Sequence, residues 1–266
     1  MADASRKVIG KVWLVGAGPG APDLLTFRAA ELLRRADIVF HDALVHPDTL
    51  ALATRAKLVP VGKRAGRVST HQHFINSHLA EAATHHAVIV RLKGGDPMLF
   101  GRAQEEIDTL VAAGVPFEVV PGVTAALAAS AELGVSLTRR GLSRSVTFAT
   151  PRIGPGESAS DWAQAAGRSD TTVLYMAAQT RTETVRALHA EGRSLSTPAV
   201  VVESASLPES RRIVTTLGGL LDVPLDDADG PVLVLIGEVY AGLLDVAVRE
   251  AGDVSVVLDG ALEQRM

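Results

Sequence analysis

Short apolar runs rich in β-branched residues alternate along this chain with longer segments whose apolar residues recur every three or four positions. "KVWLVGAG" is followed by a helical stripe through Leu25, Ala29, Leu32, Leu33 and Ala36, then "ADIVFHD", then a helix around Pro47 to Ala53. The series continues with "KLVPVG", a helix over about 71–85, "AVIVRLKGGD", a helix over about 103–113, and "FEVVPG". A period that switches between two and about 3.6 marks βα units. Five strands joined by helical crossovers predict a mostly parallel sheet covered on both faces.

Beyond Gly122 the texture changes. "VTAALAASAELG" reads as a helix of small residues, followed by the strands "SVTFAT" and "TTVLYMA" around a Gly/Pro/Ser-rich loop. A helix from about Thr182 to Glu191, the strands "PAVVVESAS", "RRIVTTL" and "PVLVLIG", and an acidic loop "DVPLDDADG" complete a second α/β domain with some antiparallel pairing. The expected organisation is therefore a first domain over 1–121, a second over 122–246 and a tail over 247–266.

The first strand runs into "VGAGPGAPD". Gly16, Gly18 and Ala21 fit the dinucleotide pattern G-x-G-x-x-A, and Asp42 ends the second strand where such folds keep a ribose-binding acid. Pro19 and Pro22 argue against that reading. They offer no N–H to a pyrophosphate, and the helix behind them starts late, near Pro22 or Thr26. A nicotinamide or flavin enzyme remains the alternative. Glycine loops recur at "RLKGGDP" and "PGVTAA", and in an open parallel sheet all three gather at the carboxyl edge.

Composition narrows the ligand. Aromatic residues are 4% of the chain, too few for a base-stacking surface, so nucleic acid is not expected. With no cysteine, disulfides, thiolate metal sites and thiol nucleophiles are excluded. The net charge of −4 hides two basic groups, Arg55 to Arg67 and Arg139 to Arg152, which fit either a small polyanion or a solvated surface. The start shows no apolar leader, and the most apolar stretch, "PVLVLIGEVYAGLLDVAV", is interrupted by Glu238 and Asp245. No membrane contact and a cytoplasmic location are expected.

"VGAGPG" with "DLLT", "HDALV", "VGKR", "RLKGGDP" with "FGR", "PGVTAA" and "LYM" occur in one order over about residues 12 to 240. As a set they resemble the uroporphyrinogen-III C-methyltransferases of the tetrapyrrole methylase family. That resemblance implies two α/β domains with the active site in a cleft between them, where S-adenosylmethionine binds folded. It implies a homodimer that methylates uroporphyrinogen III twice, through precorrin-1 to precorrin-2, for sirohaem or cobalamin synthesis. Carried over by position, it implies cofactor contacts at Pro19, Gly94, Gly95, Asp96, Leu99, Thr124, Ala125, Met176 and Ala205.

The resemblance also implies Asp42 as proton acceptor and Lys63 as proton donor. On the residues alone, Asp42 fits a helix cap equally, and Lys63 could instead pair with a propionate. Asp96 precedes Pro97 and fits a turn former; Met176 fits a core position. For an octacarboxylate substrate, Arg64, Arg91, Lys93, Arg102, Arg139, Arg140 and Arg144 are candidate carboxylate forks. Three segments depart from the family's usual text: "FGRAQEE", "LTRR" and "ATPRIG". They leave methylation of a related tetrapyrrole open. His71, His73 and His78 in "HQHFINSH" read as a polar helix start rather than a metal site.

Overall fold

The computed structural model describes residues 9–61, 72–154, 158, 160–225, 230–251 and 256–258. The chain divides into two compact units, 1–124 and 125–266.

The first unit is a five-stranded sheet in which every pair is parallel: β1 (Lys11–Gly16), β2 (Ile38–His41), β3 (Lys57–Pro60), β4 (Val88–Lys93) and β5 (Phe117–Val120), in the order β3-β2-β4-β1-β5. The strands are short and apolar because both faces are covered. One face packs on α1 (Phe27–Arg35) and α2 (Pro47–Ala51) through Val15, Leu33, Val39 and Val90. The other packs Val12, Ile38, Phe40 and Ile89 on α3 (Gln72–Ala82) and α4 (Ala103–Ala112) through Leu79 and Leu110. Helix α1 starts late, as its prolines predict: Pro22–Leu24 forms a 3-10 turn, and the Thr26 hydroxyl caps α1 by accepting from the Ala29 N–H at 3.2 Å.

The second unit is a six-stranded mixed sheet of β6 (Val146–Ala149), β7 (Thr171–Tyr175), β8 (Pro198–Glu203), β9 (Arg211–Thr216), β10 (Val232–Gly237) and β11 (Val256–Leu258). Their order is β11-β9-β8-β10-β7-β6; only β6 and β7 pair in parallel. Helices α5 (Ala125–Leu133) and α8 (Ala241–Ala251) cover one face, while α6 (Trp162–Arg168) and α7 (Arg181–Ala190) cover the other. Strands β8 and β10 are buried at every position, which is why each reads as an unbroken apolar run rather than an alternation. Because β7 and β8 both run antiparallel to β10, their carboxyl ends, Tyr175 and Glu203, emerge on one edge.

Helix α6 has no counterpart in the sequence expectation, its seven residues being too few to show a period. Strand β11 pairs with β9 from within the segment read as a tail, and α8 runs through residue 246. No helix among the described residues is long and apolar enough to cross a membrane.

At the carboxyl edge of the first sheet, three glycine loops pack directly on one another. A Cβ on Gly122 would lie 2.3 Å from the Gly95 carbonyl oxygen, and one on Gly16 would lie 2.6 Å from the Gly122 backbone. Gly18 and Gly95 exchange N–H···O bonds of 3.2 and 2.7 Å, both with φ in the left-handed region, at +77° and +64°. Gly122→Ala is expected to lower unfolding free energy by about 1–3 kcal/mol through overpacking. Gly242→Ala, on α8 with nothing within 4 Å of its Cβ position, is expected to change it by at most about +1 kcal/mol. Urea unfolding of the full-length variants compares the two; equal midpoints would show that the loops can part without cost.

Candidate active site

The edge of the first unit is built around a side chain that sequence reasoning missed. Strand alternation puts Arg91 and Lys93 of β4, and Asp42 just after β2, on the face that α4 covers. On α4 the buried stripe reads Ala103, Glu106, Leu110, so a carboxylate stands at a core position opposite two cations. Glu106 is 0% exposed. Its Oε1 accepts from Arg91 Nε at 2.9 Å, Lys93 Nζ at 2.9 Å and Gln72 Nε2 at 3.1 Å, and its Oε2 accepts from Lys93 Nζ at 2.9 Å. The signal that could have found it was available: a glutamate in the apolar stripe of a helix needs an internal partner.

Arg91 passes the charge on. Its Nη2 donates to Asp42 Oδ1 at 2.6 Å and its Nη1 to the Leu92 carbonyl at 3.1 Å, so all three guanidinium nitrogens are engaged. Burial alone disfavours the Arg91 cation, but the adjoining charges of Asp42 and Glu106 outweigh it and raise its pKa. Lys93 goes the other way: desolvation, then the charge of Arg91, lower its pKa despite the pairing with Glu106. Arg91 and Lys93 were expected to reach for substrate carboxylates; the structure instead buries them, because each already faces an acid inside the fold.

Asp42 ends this chain of charges at the partly open edge. Its Oδ2 accepts from the Gly94 N–H at 3.3 Å, so that among the described residues each oxygen has one partner. Of the residues expected to contact a cofactor, Pro19 lies half-buried in the β1 loop beside the Gly18–Gly95 bridge. Gly94 has open space at its Cβ position, with only Leu44 at 3.9 Å, and Gly95 only Thr124 at 4.0 Å. Asp96 serves as a tie between loops: its Oδ1 accepts from the Met98 N–H at 2.8 Å and its Oδ2 from the Gly122 N–H at 2.9 Å. Leu99 closes the same turn through its N–H to the Asp96 carbonyl at 3.3 Å, and Thr124 follows the β5 loop.

In the second unit, Ala125 is the first residue of α5, Met176 follows β7 and Ala205 follows β8. Met176 has φ +56°, and Ala205 lies between Ser204 at +52° and Ser206 at +75°. Left-handed backbone at non-glycine residues costs about 1–3 kcal/mol each, and it persists where surrounding structure over-determines it. Three of the five such residues in the chain's described part fall at these positions. A fourth, Arg102 at +54°, precedes α4, with its guanidinium held bidentate by Glu105 at 2.6 and 2.7 Å. Arg139, Arg140 and Arg144 are exposed in the second unit. Lys63, Arg64 and His71 lie outside the described residues; His78 meets the Phe74 carbonyl at 2.9 Å. No group of three or more metal-ligating side chains occurs among the described residues.

The model of the tetrapyrrole (corrin/porphyrin) methylases matches residues 11–221. The chain belongs to this family. A siroheme synthase of Stutzerimonas stutzeri is 42% identical over 241 residues, covering 90% of this chain and 52% of that protein. One from Chromobacterium violaceum is 44% identical over 232 residues, covering 86% and 49%. The chain thus spans about half the length of these curated relatives. Among solved structures, a uroporphyrin-III C-methyltransferase of Thermus thermophilus, complexed with S-adenyl homocysteine, is 38% identical with a TM-score of 0.78, covering 88% of this chain and all of that one. A cobalt precorrin-4 methyltransferase matches at 28% identity and a TM-score of 0.75, over 86% of this chain and 95% of that one. Within this chain, breaking the buried charge cluster has a defined consequence. Glu106→Gln is expected to lower stability by about 3–5 kcal/mol, because two buried cations lose their shared anion. Lys93→Met with Glu106→Leu is expected to lose less than Glu106→Leu alone; a larger loss in urea unfolding would contradict the pairing.

Proposed function

We propose that this chain methylates uroporphyrinogen III at C2 and C7 with S-adenosylmethionine, giving precorrin-2 by way of precorrin-1. The same reading makes it a homodimer working in the cytoplasm, on the route to sirohaem or cobalamin. The observation that carries it is the backbone cradle at Gly94 and Gly95, open where a Cβ would stand and bordered by the Asp42 carboxylate. Family membership and the S-adenyl homocysteine in the Thermus methyltransferase support the choice of cofactor. The late start of α1 and the two prolines in the first loop weigh against a dinucleotide.

The residues present fit this cofactor. Pro19, Gly94, Gly95, Asp96, Leu99 and Thr124 in the first unit would hold it, with Ala125, Met176 and Ala205 in the second. Glycine and alanine suit contacts made by backbone N–H and C=O groups. When bound, the cofactor supplies an electrophilic methyl group on a sulfonium. A pyrrole carbon of a reduced porphyrinogen is electron-rich, so the protein's task is mainly to hold it close and in line. Carbon–carbon bond formation leaves a cationic ring that must lose a proton. Asp42 takes that proton: Arg91 keeps its carboxylate oriented, and each oxygen retains acceptor capacity. Lys63, expected as a proton donor, has no step in this scheme, which balances with the loss of one ring proton for each methyl group added.

Substrate carboxylates fall to Arg64, Arg102, Arg139 and Arg140. Arg91 and Lys93 are left out of that set, their charges being matched inside the first unit.

Anaerobic incubation with enzymatically made uroporphyrinogen III and S-adenosylmethionine is expected to yield a product two methyl groups heavier by mass spectrometry. Failure to methylate with active substrate and folded protein would overturn the assignment. Asp42→Asn is expected to reduce kcat by about 10²–10⁴-fold, the range for a general base, without changing the Kd for S-adenosylhomocysteine measured by calorimetry. Arg139→Ala with Arg140→Ala is expected to raise the uroporphyrinogen KM by about tenfold or more, with cofactor affinity again unchanged. Equal loss of both affinities would count against a substrate role for these arginines.

A further inference from the structure

Helix α5 is tied at both ends to the loops that carry the other proposed cofactor contacts of the second unit. Near its start, the Ala126 N–H, one of the orphan donors of a first helical turn, donates to the Tyr175 hydroxyl at 3.2 Å. Tyr175 is the last residue of β7 and precedes Met176. Near the other end, both Glu132 oxygens are used. Oε2 accepts from the Ser206 N–H at 2.8 Å; Oε1 accepts from the Ser210 hydroxyl and from Arg212 Nε at 2.8 Å. Every one of these donors belongs to the segment from Ser206 to Arg212, and none to α5 itself. The Glu132 carboxylate therefore grips the loop in which Ala205 sits between two left-handed serines.

We propose that α5 is a strut that sets the spacing of the cofactor contacts Ala125, Met176 and Ala205, with the Tyr175 hydroxyl and the Glu132 carboxylate as its two latches. The inference rests on the functional reading above. The helix suits the role. Its nine residues span about 13 Å, and its stripe of Ala126, Ala129 and Leu133 is buried against Val173 of β7, Val200 and Val202 of β8 and Leu235 of β10. Small residues on that stripe let the rod lie close to the sheet from which both loops emerge. Neither Tyr175 nor Glu132 need touch the cofactor; both act through the backbone of their neighbours.

The test is calorimetric titration of S-adenosylhomocysteine into the full-length protein and two variants. Tyr175→Phe keeps the ring against Phe148, 6.2 Å between centroids, and removes the hydroxyl that accepts from the Ala126 N–H. Glu132→Gln puts an amide NH2 where a donor now points. The Kd is expected to rise about threefold for the first, a neutral hydrogen bond, and about tenfold for the second, a charged one. Both variants should keep the wild-type kcat at saturating cofactor and the wild-type uroporphyrinogen KM, a split that general loosening of the fold would not produce. If Glu132→Gln fails to fold, Ser210→Ala removes one donor from the same carboxylate and carries the test. An unchanged Kd in the folded variants, or a loss in kcat and substrate KM instead, would overturn the strut. If the wild-type chain does not bind S-adenosylhomocysteine, the functional reading itself fails; wild-type binding with unaffected variants would sink the strut alone.

Discussion

The close approach of three backbones at one sheet edge governs the first unit. Gly16 and Gly122 meet each other and the Gly95 carbonyl at distances where no Cβ fits. The loops after β1, β4 and β5 consequently form one continuous backbone surface instead of three separate turns. Asp96 reinforces it by accepting from the Gly122 N–H across the gap. The glycines thus divide between two tasks. Gly16 and Gly122 let loop meet loop, whereas Gly94 has open space above it and leaves the backbone accessible, as the proposed cofactor contact requires. That division explains why "VGAGPG" looks like a dinucleotide grip without working as one: the first glycine of the pattern is spent on internal packing, and the helix whose N-terminus would hold a pyrophosphate does not begin until Phe27.

A second constraint is electrostatic and grows out of the first. Bringing β4 under α4 places two cations and a glutamate in a layer otherwise made of Phe40, Ile75, Leu79 and Leu110. Removing ions from water is costly unless every one is paired and hydrogen-bonded. Glu106 satisfies Lys93 and one edge of Arg91, and the remaining edge of Arg91 finds its counter-charge only at Asp42. The position of Asp42 at the site is in this sense the last term of a neutralisation begun in the core.

The period switch made the βα order of the first unit legible, and Pro19 and Pro22 made the late helix legible, because both are local properties of the chain. What was not legible depended on partners distant in sequence. Arg91 and Lys93 looked like substrate forks since their partner is on the next helix, and a glutamate in "QEE" is indistinguishable from a solvated one until the register of α4 is known. Tyr175 and Glu132 were missed for the same reason: their partners lie 49 and 74 or more residues away. Helix α6 and strand β11 were missed because seven and three residues are too few to show a period. Met176 and Ala205, by contrast, were named through resemblance, and their left-handed surroundings supply an independent physical sign that those turns are constrained.

Two sets of charges in the chain have different consequences. Arg91, Lys93, Glu106 and Asp42 form a neutral set largely closed to solvent, whereas Arg139, Arg140 and Arg144 remain exposed. Drawing Arg91 or Lys93 towards a ligand would strand Glu106 without a counter-ion in the core, so under the proposed function the substrate carboxylates fall to other cations. In that reading the chemistry proposed for Asp42 is separate from the binding of substrate carboxylates. Its oxygen contacts come from the fold itself, Arg91 on one side and the Gly94 N–H on the other, so the carboxylate is oriented from within the first unit. Under the proposed function, a scaffold with that separation accommodates departures such as "LTRR" at the exposed arginines without disturbing the charge network that holds Asp42.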